Sequence, residues 1–240
     1  VTTIYAKPLN LLLTVGENTL NRDRNTTITL QATYDDNTTK TPNNIEWLIT
    51  PKDAVEIKGD TLTALKDTNV TIQAKVGNTL SNKVKLNIYW EVDGHRLPPE
   101  PDPKINNSTL LGIDANNNSV RDDVERKVYA TYKKAIDRAV MMQAFKTEQA
   151  MLADPDLVKN AREWEKKIWK AINCNDYLST YKQVAPMSRQ DIKRTTDWLI
   201  NTEKRVKRYF QYDRALSGGV YSISDGTLQD CEFDVEKVLE

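Results

Sequence analysis

Over residues 27–34 apolar and polar side chains alternate strictly, with Ile28, Leu30, Ala32 and Tyr34 set against Thr27, Thr29, Gln31 and Thr33. A period of two sends successive side chains to opposite faces, so the segment predicts a strand with one buried face. Ile45, Trp47 and Ile49 repeat the pattern, as do Val70, Ile72, Ala74 and Val76, then Val84, Leu86 and Ile88. Turn-forming residues at 35–44, 58–60 and 77–82 separate these runs. Six or seven short strands at this spacing, over residues 1–90, predict a β-sandwich.

From about residue 121 the period becomes helical. Val124, Val128, Tyr132, Ala135, Ala139 and Met142 form one stripe, predicting a long helix that ends near Ala153. Asp154-Pro155 reads as an N-cap followed by a proline in the first turn. The second helix then carries Leu157, Ala161, Trp164, Ile168 and Ala171 inward and stops near Cys174. A third helix is expected from Ser188, with Asp191 as its capping-box partner. Ile192, Leu199, Val206 and Phe210 are expected to face inward, and Gly218-Gly219 to end it. A short hairpin is expected around Asp225-Gly226. Three long amphipathic helices predict a helical bundle over 114–240. Residues 91–113 hold four prolines in six positions, Pro98, Pro99, Pro101 and Pro103. They predict an extended, stiff linker with no helix ahead of residue 114.

Several segments of the first half, taken in order, carry a resemblance: LTVGENTL, TITLQATYDDNTT, IEWLI, GDTLTALKDTNVTIQAKV and SNKVKLNI. Together they resemble the bacterial immunoglobulin-like domains of group 2, found in intimin- and invasin-type surface proteins. Trp47 and the Thr-Ala-Leu-Lys run at 63–66 are the best marks; residues 66–69 depart by lacking a glycine. The resemblance implies an immunoglobulin-like sandwich used as an exported spacer or display module, and no catalytic residue. The expected fold class is therefore multidomain α and β: an immunoglobulin-like β-sandwich, then an α-helical bundle domain.

The most chemically specific stretch is DANNNSVRDDVE, residues 114–125. Asp114, Asn116 and Asn118 fall at loop positions 1, 3 and 5. Val120 falls at position 7, where a backbone carbonyl serves, Asp122 at 9 and Glu125 at 12. That is the spacing by which an EF-hand-type loop surrounds Ca²⁺ with hard oxygen donors. Ser119 replaces the usual glycine at the sharp turn, requiring a left-handed backbone at about 1 kcal/mol. With few formal charges, affinity is expected at roughly 10⁻⁵ to 10⁻³ M. The loop resembles the lone structural calcium loops of dockerin-type and thrombospondin-type repeats. The alternative is that Asp122 and Asp123 decorate a helix N-terminus and the asparagines supply turn chemistry.

Lys plus Arg and Asp plus Glu both total 34, so overall charge does not point to a nucleic-acid or anionic-membrane partner. No apolar run is long enough to span a bilayer. The chain opens without an initiator Met, as a processed secreted protein would. Cys174 and Cys231 are the only cysteines; a disulfide is expected if the chain is exported, and two buried thiols otherwise. Together these features favour an extracytoplasmic place: secreted, periplasmic or at the cell surface.

Other candidates are less specific. His95, the single histidine, is a potential general base with Asp93 or Glu100, or a packed linker residue. Glu163 with Glu165, and Asp137 with Glu148, are potential glycosidase-type carboxylate pairs, or solvated helix faces. Lys204, Arg205, Lys207 and Arg208 read as a polyanion contact or a solvated face. Trp169 lies off its helix stripe and suits a sugar or partner, or packing against a third helix. Asp-x-Asn-x-Thr occurs three times, making Asn25, Asn37 and Asn69 candidate glycosylation acceptors, or plain turn residues. The expected function is a non-enzymatic surface or periplasmic interaction protein of adhesion type, with a protein or glycan partner. The alternative is a glycan- or cell-wall-acting enzyme that uses helical-domain carboxylates.

Overall fold

The structure, a computed structural model, describes residues 7–184, 188–219 and 225–240, without the side chains of Arg189, Ile192 and Thr195. It divides into two compact units, Val1–Pro99 and Glu100–Glu240.

In the first unit the strands run β1 (Asn10–Val15), β2 (Thr19–Asn21), β3 (Asn25–Thr33), β4 (Thr39–Lys40), β5 (Glu46–Thr50), β6 (Val55–Lys58), β7 (Thr61–Ala64), β8 (Asn69–Val76), β9 (Thr79–Leu80) and β10 (Val84–Tyr89). One sheet has the order β1-β3-β7-β6 with β4 on β3, and a second β2-β10-β8-β5 with β9 on β8. All neighbours are antiparallel except β2 and β10. The expected alternation is observed: Ile28, Leu30, Ala32 and Tyr34 are all buried. They share one apolar cluster with Leu13, Leu62, Ile72 and Leu86, so residues of both sheets fill a single core. Asn82 works as a substitute strand partner, accepting from Leu13 N at 2.8 Å and donating to Leu13 O at 2.9 Å.

The expected linker, 91–113, is not a separate segment. Its start forms a hairpin of β11 (Glu91–Val92) and β12 (His95–Arg96) within the first unit. Its end folds as a helix, α1 (Pro103–Ser108), against the expectation that the prolines exclude one. Proline is tolerated where the N–H is unpaired anyway, and Asp102 caps the turn by accepting from Lys104 N and Ile105 N.

The second unit continues with α2 (Asp122–Thr131), α3 (Ala135–Ala153), α4 (Leu157–Tyr181), α5 (Arg189–Leu199), α6 (Glu203–Leu216) and α7 (Val235–Leu239). Two helices expected to be continuous are broken. The first breaks at 132–134 and changes phase there: Val124, Val128 and Tyr132 are buried, but Ile136, Val140 and Met141 follow rather than Ala135, Ala139 and Met142. The third breaks at 200–202, where Thr202 caps α6 through Arg205 N. Its phase changes too. Arg205 and Tyr212 are buried on α6, while Phe210, expected inside, is 60% exposed and Val206 only half-buried. The expected position of Ile192 rests on a side chain outside those described.

The Ser188–Asp191 capping box is present. The second helix begins later than expected, with Asp156 rather than Asp154 at its N-cap, and runs past Cys174 to Tyr181. Its inward stripe is otherwise as read, with Leu157, Ala161 and Ala171 buried and Trp164 and Ile168 half-buried. A strand expected before Asp225 falls on residues outside those described. From Leu228–Asp230 the tail forms a 3-10 turn and then α7. Cys174 and Cys231 form a disulfide, with Cα atoms 4.9 Å apart, that joins this tail to α4.

Candidate functional site

Loop 114–125 runs from just after α1 into the first turn of α2 and folds onto its own carboxylates. Asp114 accepts from Asn118 N at 3.1 Å and from Ser119 N at 2.9 Å. Asn118 Oδ1 accepts from Val120 N at 2.8 Å. These bonds wind the backbone tightly, with Asn117 and Ser119 in the left-handed region at φ 56° and 70°. Ser119 thus adopts the conformation for which position 6 favours glycine.

The winding brings position 12 under positions 3 and 5. Glu125 is fully buried, and its Oε2 accepts from Asn116 Nδ2 at 3.0 Å and Asn118 Nδ2 at 2.8 Å. Asp122 is buried as well and accepts from Ala115 N at 3.0 Å. Its carboxyl is pushed up to about 6, chiefly by burial, with the Ala115 N–H opposing the rise and the charges of Asp114, Glu125 and Asp123 adding to it. Asp114, Asn116, Asn118, Val120, Asp122 and Glu125 therefore lie on one wound loop in the expected register. Among the described residues, no three His, Cys, Asp or Glu side chains are grouped so that they alone hold a metal. The loop's donor set is of another kind, with two amides and a backbone carbonyl beside its carboxylates. For calcium both amides must turn Oδ1 inward, in place of the N–H groups that now face Glu125.

The burial of Asp122 predicts a pH dependence. The folded Asp122 carboxyl titrates near 6, above the roughly 3.9 of an unfolded aspartate. Between those values the folded state keeps a proton that the unfolded state has lost, so stability falls as pH rises through the window. Above it the cost is complete. Asp122→Asn keeps an acceptor for Ala115 N and removes the charge. Urea unfolding in chelator should show the variant about 1–2 kcal/mol more stable than wild type at about pH 7.5, the gain shrinking towards pH 4. A variant less stable at both pH values would show that the carboxylate is favourably held without a cation.

One buried arginine anchors the loop and a second holds the segment that precedes it. Arg121 is fully buried, bonded to the Asp123 carboxylate and donating to Trp198 O at 2.7 Å and Leu199 O at 3.2 Å. Arg205, also fully buried, donates to Asn106 O at 2.7 Å, Leu110 O at 2.9 Å and the Asn107 Oδ1 at 3.0 Å. Burial, and after it the neighbouring Arg121 charge, lowers the Arg205 guanidinium to about 10, still fully charged at neutral pH. Gly112, at φ 73°, passes so close to Arg121 Cδ that a Cβ would collide with it and would lie 2.6 Å from Asn106 Oδ1.

Of the remaining sequence candidates, Glu148 and Glu165 line one pocket together with Asp213. His95 sits in the β11–β12 hairpin opposite Val92. Glu163 is exposed and paired with Lys166, apart from Glu165, whose two oxygens accept from Trp169 Nε1 at 2.7 Å and from the Tyr212 hydroxyl. A carboxylate held at both oxygens suits a fixed acceptor better than a general acid. Trp169 is half-buried through that bond. The basic cluster is not a polyanion surface either. Arg205 is buried, and Arg208 turns to Leu152 O and Asp154 O. Asn25, Asn37 and Asn69 are all exposed, Asn37 at a turn with φ 61°.

No helix among the described residues is long and apolar enough to cross a membrane. Comparison of the chain with protein-family models and with characterised proteins finds no match.

Proposed function

We propose that the chain is an exported bacterial surface or periplasmic interaction protein, non-enzymatic, whose helical unit is stabilised by Ca²⁺ at loop 114–125. In this reading the first unit is an immunoglobulin-like sandwich serving as a display module, and the second a helical bundle that meets the protein or glycan partner. One observation carries it. Loop positions 3 and 5 close on position 12, the Asn116 and Asn118 amides lying 3.0 and 2.8 Å from the buried Glu125 carboxylate, and Asp122 at position 9 is buried as well, a juxtaposition that suits a calcium loop. Asp114, Asn116, Asn118, Asp122 and Glu125 would supply side-chain oxygens and Val120 its carbonyl. The ion's contribution is structural, tying the chain after α1 to the first turn of α2. The disulfide fits an oxidising compartment, where calcium is also plentiful.

The test is a thermal melt of chelator-stripped protein with and without millimolar Ca²⁺. With a dissociation constant of roughly 10⁻⁵ to 10⁻³ M, the helical unit should gain about 0.5–3 kcal/mol. An Asp114→Ala, Glu125→Ala double variant should show no gain. Equal melts of the wild type with and without calcium would overturn the reading, provided elemental analysis shows the ion was removed.

A further inference from the structure

Helices α3, α4, α5 and α6 border a half-open pocket of about 450 Å³ that no role above uses, its walls including Glu148, Glu165, Ile168, Tyr209, Tyr212, Asp213 and Leu216. Its volume lies in the range of small-ligand sites. Among the described lining side chains three are carboxylates and none is a cation. Tyr209 and Tyr212 supply aromatic surface, their ring centroids 6.0 Å apart and tilted by 56°, and Ile168 and Leu216 supply apolar surface. Glu165 is fixed by the Tyr212 hydroxyl and Trp169, so one wall of the cavity is preorganised.

We propose that this cavity binds an alkylammonium group, with the alkyl stem against Ile168 and Leu216 and the cation between the tyrosine rings and the carboxylates of Glu148, Glu165 and Asp213. Ring faces attract cations through their quadrupole, and carboxylates in a partly desolvated pocket strengthen that attraction. The local field agrees: burial raises the Tyr209 phenol, and the charges of Glu148, Asp213 and Glu165 raise it further. The proposal goes beyond the calcium reading. No lining residue belongs to loop 114–125, and either can fail while the other stands.

Calorimetric titration of the full chain with n-pentylamine, cadaverine, N-acetyl-lysine amide and n-pentanol tests it. Saturable binding of the amines that weakens with salt, with pentanol silent, is the expected result. Glu148→Gln with Asp213→Asn should weaken binding by about tenfold or more, as should Tyr209→Leu, while Glu163→Gln on the exposed face of α4 leaves it unchanged. Tighter binding of the lysine amide identifies a lysine side chain of a partner as the source, and tighter binding of the free amines a small-molecule amine. Either supports the site. Equal binding of pentanol and pentylamine overturns the proposal. So does the absence of saturable binding by every amine, or unchanged affinity in variants that melt like the wild type.

Discussion

Arg205→Ala should cost the helical unit about 4–5 kcal/mol, the largest effect of any single side chain here. The guanidinium is fully buried and feeds the backbone carbonyls of Asn106, Thr109 and Leu110 and the side-chain oxygens of Asn107 and Asn201. Truncation removes the donors and keeps the acceptors, and each acceptor left dry costs about 1–3 kcal/mol. The void is polar and roomy, so water should enter and recover part of that loss. Arg205→Met provides the control. It fills the space with apolar atoms and keeps water out, so it should be no better than alanine despite its better packing. Arg205→Lys retains the charge but brings three donors for five acceptors and should fall between. The measurement is urea unfolding followed by a probe specific to each unit. Only the transition of the second unit should move. A Met variant clearly more stable than Ala would mean that packing, not acceptor satisfaction, decides this site.

Arg205 is one of four arginines with the same task. Every helix ends with carbonyls that have no partner within the helix, and a cation is favoured at that end. Arg205 serves the end of α1. Arg138, buried on α3, donates to Tyr132 O at 3.2 Å and Lys133 O at 2.8 Å, just past the end of α2. Arg208 serves Leu152 O and Asp154 O at the end of α3, and Arg121 serves Trp198 O and Leu199 O at the end of α5. In each case the arginine lies outside the helix it caps, so a local feature becomes a tertiary contact. The helical unit is therefore held by guanidinium clamps at its chain breaks as well as by apolar packing.

That division explains what was legible in the sequence. Strand alternation needs only neighbours along the chain, and Ile28, Leu30, Ala32 and Tyr34 read correctly. The Ser188–Asp191 box is equally local. Arg205 was not legible as a buried residue. A charge is assigned to solvent by default because burying it is costly, and the carbonyls that offset the cost lie in a distant segment, 106–110. The two helix breaks misled for a related reason. No glycine or proline marks 132–134, and the carbonyls of Tyr132 and Lys133 are met by Arg138. At 200–202 a local signal existed: Asn201-Thr202 before Glu203 is a helix start. Carrying one stripe across that start gave α6 the wrong phase, placing Phe210 inside and Arg205 outside. α1 is hidden in the sequence by its block of four prolines, although Pro103 follows Asp102 in the position where proline opens a helix.

Replacing Cys174 and Cys231 together by serine should cost about 4 kcal/mol in the chain-entropy account, given their separation of 57 residues. The loss should again be confined to the second unit, since both ends of the bridge lie there. The native tail is also tied without the bridge. Gln143 donates to Asp230 O at 2.7 Å and accepts from Glu232 N at 3.0 Å, flanking Cys231 on both sides. Val235 is buried with Val140 and Leu178. Gly226 lies so close to Asn173 O that no side chain fits. These contacts should hold residues 225–240 in place after the bridge is removed, so most of the loss should reflect a freer unfolded chain. Hydrogen exchange can separate the two contributions. If the argument holds, amides of α7 in the serine variant stay protected and exchange only through opening of the whole unit. Rapid exchange of α7 alone would instead show that the bridge anchors a tail whose own contacts are too weak. Adding Gln143→Ala to the serine variant should then release the tail, whereas in the bridged protein the same change should cost only about 1–2 kcal/mol.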